Sequence, residues 1–156
     1  MPSFQITGID HAQFAALFEL DDDVLRARGA ARCIADAHPS FPCRVSLVDA
    51  QIGEELILLP YEHQPAASPY RASGPIFVRR GAVRRTLEPG VVPPYVTHRL
   101  ISLRAYDAQH GMVDADVRDG ADVAAEIERL FARPDVAYLH LHNARRGCFS
   151  CRVDRA

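Results

Sequence analysis

The segment Leu58–Arg79, LLPYEHQPAASPYRASGPIFVR, constrains this chain more than any other stretch. It carries the end of one apolar run, Glu55 to Tyr61, through a polar, proline-stiffened stretch and into a second run, Ile76 to Arg80. Both runs read as strands bounded by turn chemistry. Between and beside them stand Tyr61, His63, Gln64, Tyr70, Arg71, Ser73 and Arg79. Loops held by a rigid scaffold are where binding and catalytic groups gather. The plain alternative is a surface connector stiffened by proline.

The rest of the chain is built from similarly short pieces. Phe4 to Thr7 alternates as a first strand, and Gly8 ends it. Asp10 with Gln13 resembles a capping box ahead of Phe14, Leu17 and Phe18, which fall at helical spacing. Asp21 to Asp23 starts a second short helix that Gly29 stops. Ala31 to Ala35 reads as a strand, His38 to Pro42 as a turn, and Cys43 to Val48 as a strand alternating Arg44 and Ser46 against Val45 and Leu47. Ala82 to Thr86 is the expected hairpin partner of Ile76–Arg80, and Glu88 to Pro94 reads as loop. Leu100–Tyr106 and Met112–Val117 are two strands joined at Asp107–Gly111. Asp122 to Arg133 is the clearest helix, with an apolar stripe at Val123, Ile127, Leu130 and Phe131, acids early, arginines late and Pro134 beyond. Val136–His142 and Cys148–Val153 form a terminal hairpin. This pattern predicts an α+β fold: one domain over residues 1–156, a mostly antiparallel sheet, and two or three helices packed on one face.

All 18 basic residues are arginine, so neither a lysine Schiff base nor a lysine general base is available. Cationic recognition must use planar guanidinium groups, which suit carboxylate and phosphate. A net charge of −2 gives no general pull toward nucleic acid or anionic lipid. No apolar run approaches the about 18 residues of a membrane span. The N-terminal string MPSFQITGIDH has neither a basic start nor an apolar signal core, so the expected address is the cytoplasm. There Cys33, Cys43, Cys148 and Cys151 are packing, metal or reactive groups rather than a disulfide frame.

Strand alternation puts Tyr138, His140 and His142 on one face and Leu139 and Leu141 on the other. Two histidines at i and i+2 can converge on zinc or iron, with His63 as a third ligand. Otherwise they only hydrogen-bond on a polar sheet face. Cys148 and Cys151 invite three readings: a structural zinc site with His140 and His142, a redox dithiol, or small buried hydrophobes. At i and i+3 on a strand the two point to opposite faces, which weighs against the first two. Cys43 and Cys148 are candidate nucleophiles, with His63 or His142 as acid/base. Tyr61, Tyr70, Arg71, Ser73, Arg79 and Asn143 are candidate contacts to an anionic substrate. The run Arg79, Arg80, Arg84 and Arg85 lacks interleaved aromatics and reads as a solvated face rather than a nucleic-acid track.

The strings FPCRVSL, YEHQP, PYRASGPIFVR, LRAYD and YLHLHNARRGC together resemble the bacterial family called domain of unknown function 1203. The resemblance implies a small stand-alone bacterial protein with no assigned activity. It singles out Cys43, Arg44, Tyr61, His63, Gln64, Tyr70, Arg71, Ser73, Gly74, Arg79, His142, Asn143 and Cys148; Cys151 is not part of the pattern. The expected function is therefore one polar pocket for a small anionic ligand or substrate, with or without a metal. Two alternatives stand beside it: a non-catalytic scaffold that dimerises through a sheet edge, and a domain with a structural zinc.

Overall fold

The structure, a computed structural model, describes residues 3–156; Met1 and Pro2 of the N-terminal string lie outside the described residues. The chain runs through β1 (Phe4–Thr7), two 3-10 turns (His11–Gln13 and Ala15–Glu19), α1 (Asp22–Ala27), β2 (Ala31–Ile34), β3 (Pro42–Cys43), β4 (Val48–Asp49), β5 (Glu55–Gln64) and β6 (Ala72–Arg79). It continues through α2 (Pro94–Thr97), β7 (Leu100–Tyr106), β8 (Met112–Asp119), a 3-10 turn (Gly120–Asp122), α3 (Val123–Phe131), β9 (Tyr138–Asn143) and β10 (Phe149–Arg155). The α+β class holds, and the strands are shared between two five-stranded sheets. The first has the order β1-β10-β9-β7-β8 and is antiparallel throughout. The second has the order β2-β5-β6-β3-β4, in which β3 and β6 run parallel.

Each sheet buries one face under its own helices. Alternation in β9 sends Leu139 and Leu141 into the first core, where α3 adds Val123, Ile127, Leu130 and Phe131. Burying each of these large side chains contributes about 1.5–3 kcal/mol. The second core packs Phe14, Phe18 and Leu25 against Ile57, Leu59, Ile76 and Val78. Asp10 and Asp21 cap as the sequence suggested, Oδ1 of each accepting from the backbone N–H of Ala12 and Val24 respectively. The Phe14–Phe18 segment is a 3-10 turn rather than an α-helix, with i→i+3 bonds from Leu17 to Phe14 and from Leu20 to Leu17. So short a segment closes too few turns to sustain α geometry and tightens instead.

Three local expectations are corrected. Cys43 to Val48 is not one strand: residues 44–47 turn tightly between β3 and β4, and Arg44, Val45, Ser46 and Leu47 are all buried. Burial on both parities is incompatible with a strand that has a solvent face. Ala82–Thr86 does not pair with β6, whose neighbours are β5 and β3; it touches β1 at one bridge, Thr7 to Thr86. The loop expected at Glu88–Pro94 leads directly into α2, with Pro94 in the first helical turn, where its missing N–H costs nothing.

The exit of β1 is stitched to the 44–47 turn. Ile9 N–H donates to Arg44 O and Arg85 N–H to Val45 O. A Cβ on Gly8 would overlap the Val45 carbonyl oxygen, so this approach needs glycine. In the terminal hairpin, Phe149 pairs with His142 but Cys151 pairs with Leu141. Ser150 is thus one extra residue, a bulge, and it reverses the alternation of β10. No helix among the described residues is long and apolar enough to cross a membrane.

Candidate functional site

Two clusters of polar groups flank the terminal hairpin, one on each side of the Phe149 backbone. The first is a cleft of about 900 Å³. Its walls come from the 36–42 turn, Phe77 of β6, the end of α2 with Arg99, Gly120, and the β9–β10 turn. Phe41 and Phe77 meet edge to face at 5.2 Å and make an aromatic wall. Asn143, Arg145, Arg146 and Cys148 enter from the hairpin turn, and the exposed Asp36 and Asp119 also line the space.

Arg44 lies at the inner end, only 1% exposed. Its Nε donates to Phe149 O at 2.7 Å, Nη1 to Pro42 O at 2.7 Å, and Nη2 to Cys148 Sγ at 3.1 Å. These contacts end on two carbonyls and a thiol, and no carboxylate answers the charge among the described residues. Arg99 differs: Asp49 takes both of its terminal nitrogens, with His98 Nε2 3.3 Å from the same carboxylate. Arg145 and Arg146 are exposed, and among the described residues neither meets a carboxylate. The Oδ1 of Asn143 is buried without a partner among the described residues.

The second cluster gathers three histidines around one ring. His63, from the end of β5, stands 4.9 Å from His142 and 6.0 Å from His140, centroid to centroid. Phe149 sits among them at 5.5, 5.2 and 5.8 Å from His63, His140 and His142. Tyr106 stacks on Tyr138 at 5.3 Å, and Gln64 Nε2 donates to the Tyr138 hydroxyl at 3.0 Å. His142 Nδ1 faces Gly147 O at 2.9 Å; a carbonyl only accepts, so this nitrogen carries the proton and Nε2 its lone pair. Arg104 Nη1 lies 3.5 Å from that Nε2.

Burial pushes His140 down to about 3, helped by the neighbouring His63 and His142. His142 also falls to about 3, through burial first and Arg104 next, partly opposed by its bond to Gly147. His63 is lowered by burial and by Arg104, while Glu62 pulls the other way. All three rings are neutral at neutral pH, and the Nδ1 atoms of His63 and His140 are buried without partners among the described residues. Although the three rings are gathered, no group of three or more His, Cys, Asp or Glu side chains among the described residues is arranged to hold a metal ion.

The sequence candidates are thus divided. His63, His140 and His142 come together, as do Asn143 and Cys148, but in different clusters. Cys43 is fully buried in the second core, its Sγ accepting from Arg79 N–H, which corrects its reading as a nucleophile. Cys151 is buried in the first core with its thiol pushed up to about 12, so it shares no metal or dithiol site with Cys148. Arg71 pairs at the surface with Glu62 at 2.9 Å, and Arg79 with Glu54 at 3.3 Å. Ser73 borders a shallow hollow beside Gly74 and Pro75. Tyr70 packs on Tyr106, and Tyr61 lies between Phe14 and Phe149.

Sequence alone gives Arg145 and Arg146 no role, and Arg44 is singled out there only by the family resemblance. The strings FPCRVSL and YLHLHNARRGC, which carry that resemblance, both bring residues into this cleft. Residues 40–155 match the model of the family described as "Protein of unknown function (DUF1203)", a span that holds the whole hairpin and Arg44. No curated protein and no solved structure matches the chain.

Proposed function

The chain belongs to the DUF1203 family, a membership that carries no activity with it, and from the cleft we propose that it binds a small organic anion there as ligand or substrate. The observation that carries this reading is Arg44. A buried guanidinium without an anion is costly, by several kcal/mol, and is retained where something compensates it. An anionic group entering beside Cys148 supplies that compensation, and Arg145 and Arg146 are free to hold the outer part of the molecule. Planar guanidinium groups suit carboxylate or phosphate. The volume is within the ~300–1,000 Å³ range of small-molecule sites, and the Phe41–Phe77 wall favours an anion with an apolar or flat portion. In this reading Cys148 is the group placed to react with the occupant. A reducing compartment, the cytoplasm, fits the four free cysteines.

Thermal unfolding with inorganic phosphate, citrate and phthalate tests it. An anion at 100 times its Kd adds ~2.7 kcal/mol of stability, or roughly 5–10 °C in Tm for a chain this size. The shift is expected to weaken with added salt and to vanish in an Arg145→Gln/Arg146→Gln variant. If none of the three anions moves Tm at low salt, the reading fails.

A further inference from the structure

We propose that Cys148 is a thiol-exchange site that takes small disulfides bearing carboxylates into the cleft and forms a mixed disulfide with them. This deepens the anion-binding reading and rests on it. Three observations converge. Cys148 is partly exposed and is the one cysteine among the described residues that lines the cleft. Arg44 aims Nη2 at its sulfur from 3.1 Å, and among the described residues no carboxylate meets that guanidinium. A thiolate is the nucleophile in exchange, and Arg44 Nη2 is placed to donate to the sulfur that would carry it. Asn143 lines the same space with a buried, unpartnered Oδ1, an acceptor suited to an amide N–H of a peptide-like disulfide.

The step balances without a further oxidant. The Cys148 thiolate attacks one sulfur of the disulfide, and the new S–S bond forms from its electron pair. The old S–S pair leaves on the second sulfur as a thiolate, which takes a proton from water. Cys148 is oxidised and the departing thiol is reduced. Cys43 and Cys151 are both buried, so no second thiol stands in the cleft to displace the adduct. The mixed disulfide persists until an external thiol removes it. Cys33 provides an internal contrast: it is also partly exposed, but its thiol is pushed up by burial and its sulfur faces Leu56 O rather than a cation.

Incubating the full chain with oxidised glutathione or with cystamine, at equal concentration and low salt, tests this by intact mass and peptide mapping. The first probe carries carboxylates and the second amines, while the exchange chemistry is shared. One glutathionyl adduct per chain is expected, at Cys148, formed at least about tenfold faster than the cystamine adduct. The preference should fall toward unity in Arg145→Gln/Arg146→Gln, two exposed turn positions whose replacement leaves the fold intact. Adduct on Cys33 instead, or cystamine reacting as fast as glutathione disulfide, overturns the proposal. If phosphate or citrate still raises Tm in that case, the thiol inference alone has failed; if neither does, the anion cleft has failed with it.

Discussion

Acidification from pH 7 to pH 5 is expected to destabilise this fold sharply, and the histidine cluster fixes the size of the effect. His140 and His142 have folded values of about 3 against an unfolded value of 6.5. A depressed histidine keeps the folded state proton-poor, so the unfolded chain gains protons first. Stability is therefore full above about pH 7 and falls as pH drops below 6.5, until the folded rings titrate near 3. Between pH 7 and pH 5 each ring contributes a loss of about 1.9 kcal/mol, or about 4 kcal/mol for the pair. His63, lowered in the same direction, adds to it. That is a large part of an ordinary domain's 5–15 kcal/mol. The window lies above the range where carboxylates protonate; Asp116 and Asp135 are themselves held low by Val117 N–H and Arg133 respectively. Urea unfolding at pH 7, 6 and 5 reads it directly: with an m-value of about 2 kcal/mol per M, the midpoint should drop by about 2 M. In a His140→Gln/His142→Asn variant, where Asn can still donate toward Gly147 O, most of that pH dependence should disappear whatever the absolute stability. A wild-type loss below about 1 kcal/mol, or an undiminished slope in the variant, would refute the reasoning.

Other substitutions probe the remaining elements. Leu130→Ala removes a fully buried side chain from α3 and should cost about 2–5 kcal/mol in chemical denaturation. Gly8→Ala forces a methyl into the Val45 carbonyl and should cost more than about 2 kcal/mol, whereas Gly74→Ala, with open space around it, should stay within about 0.5 kcal/mol; similar melting of the two variants would contradict the stitching of β1 to the 44–47 turn. Arg44→Ala strands the Phe149 and Pro42 carbonyls. A loss of about 2–4 kcal/mol is expected, together with slower alkylation of Cys148 by iodoacetamide in the folded protein; unchanged alkylation would mean that the guanidinium does not act on the sulfur.

Much of the fold was legible because it rests on local periodicity. The Leu139/Leu141 and Tyr138/His140/His142 faces and the α3 stripe follow from alternation and spacing alone, whereas the i, i+3 argument for Cys148 and Cys151 does not hold, because the Ser150 bulge lies between them. The misreadings share a different cause, which is tertiary burial. Arg44 alternates with Val45 as a strand residue would, yet both are interior, because the cleft and the second core approach the same turn from two sides. Arg71 looked like an anion clamp, but the β5–β6 pairing, Gln64 opposite Ala72, brings Glu62 within reach of it. His63 and His142 lie together, while the thiol of Cys148 faces the other side of the hairpin. Cys148 directly precedes Phe149, which pairs with His142, so alternation turns it away from the imidazoles.

Ser150, the extra residue in β10, is one that this hairpin can lose without changing which side chains face which way. A one-residue deletion inside a strand ordinarily sends everything beyond it to the opposite face. Here a deletion of Ser150 would leave Phe149 opposite His142 and Cys151 opposite Leu141, as neighbours that still point to opposite sides. The phenyl ring would stay with the imidazoles and Cys151 with the first core, at the cost of the Tyr95 hydroxyl bond to Ser150 O. A chain lacking Ser150 should therefore keep its fold, whereas a one-residue deletion within β9, which supplies the inner face of the first core, should abolish it.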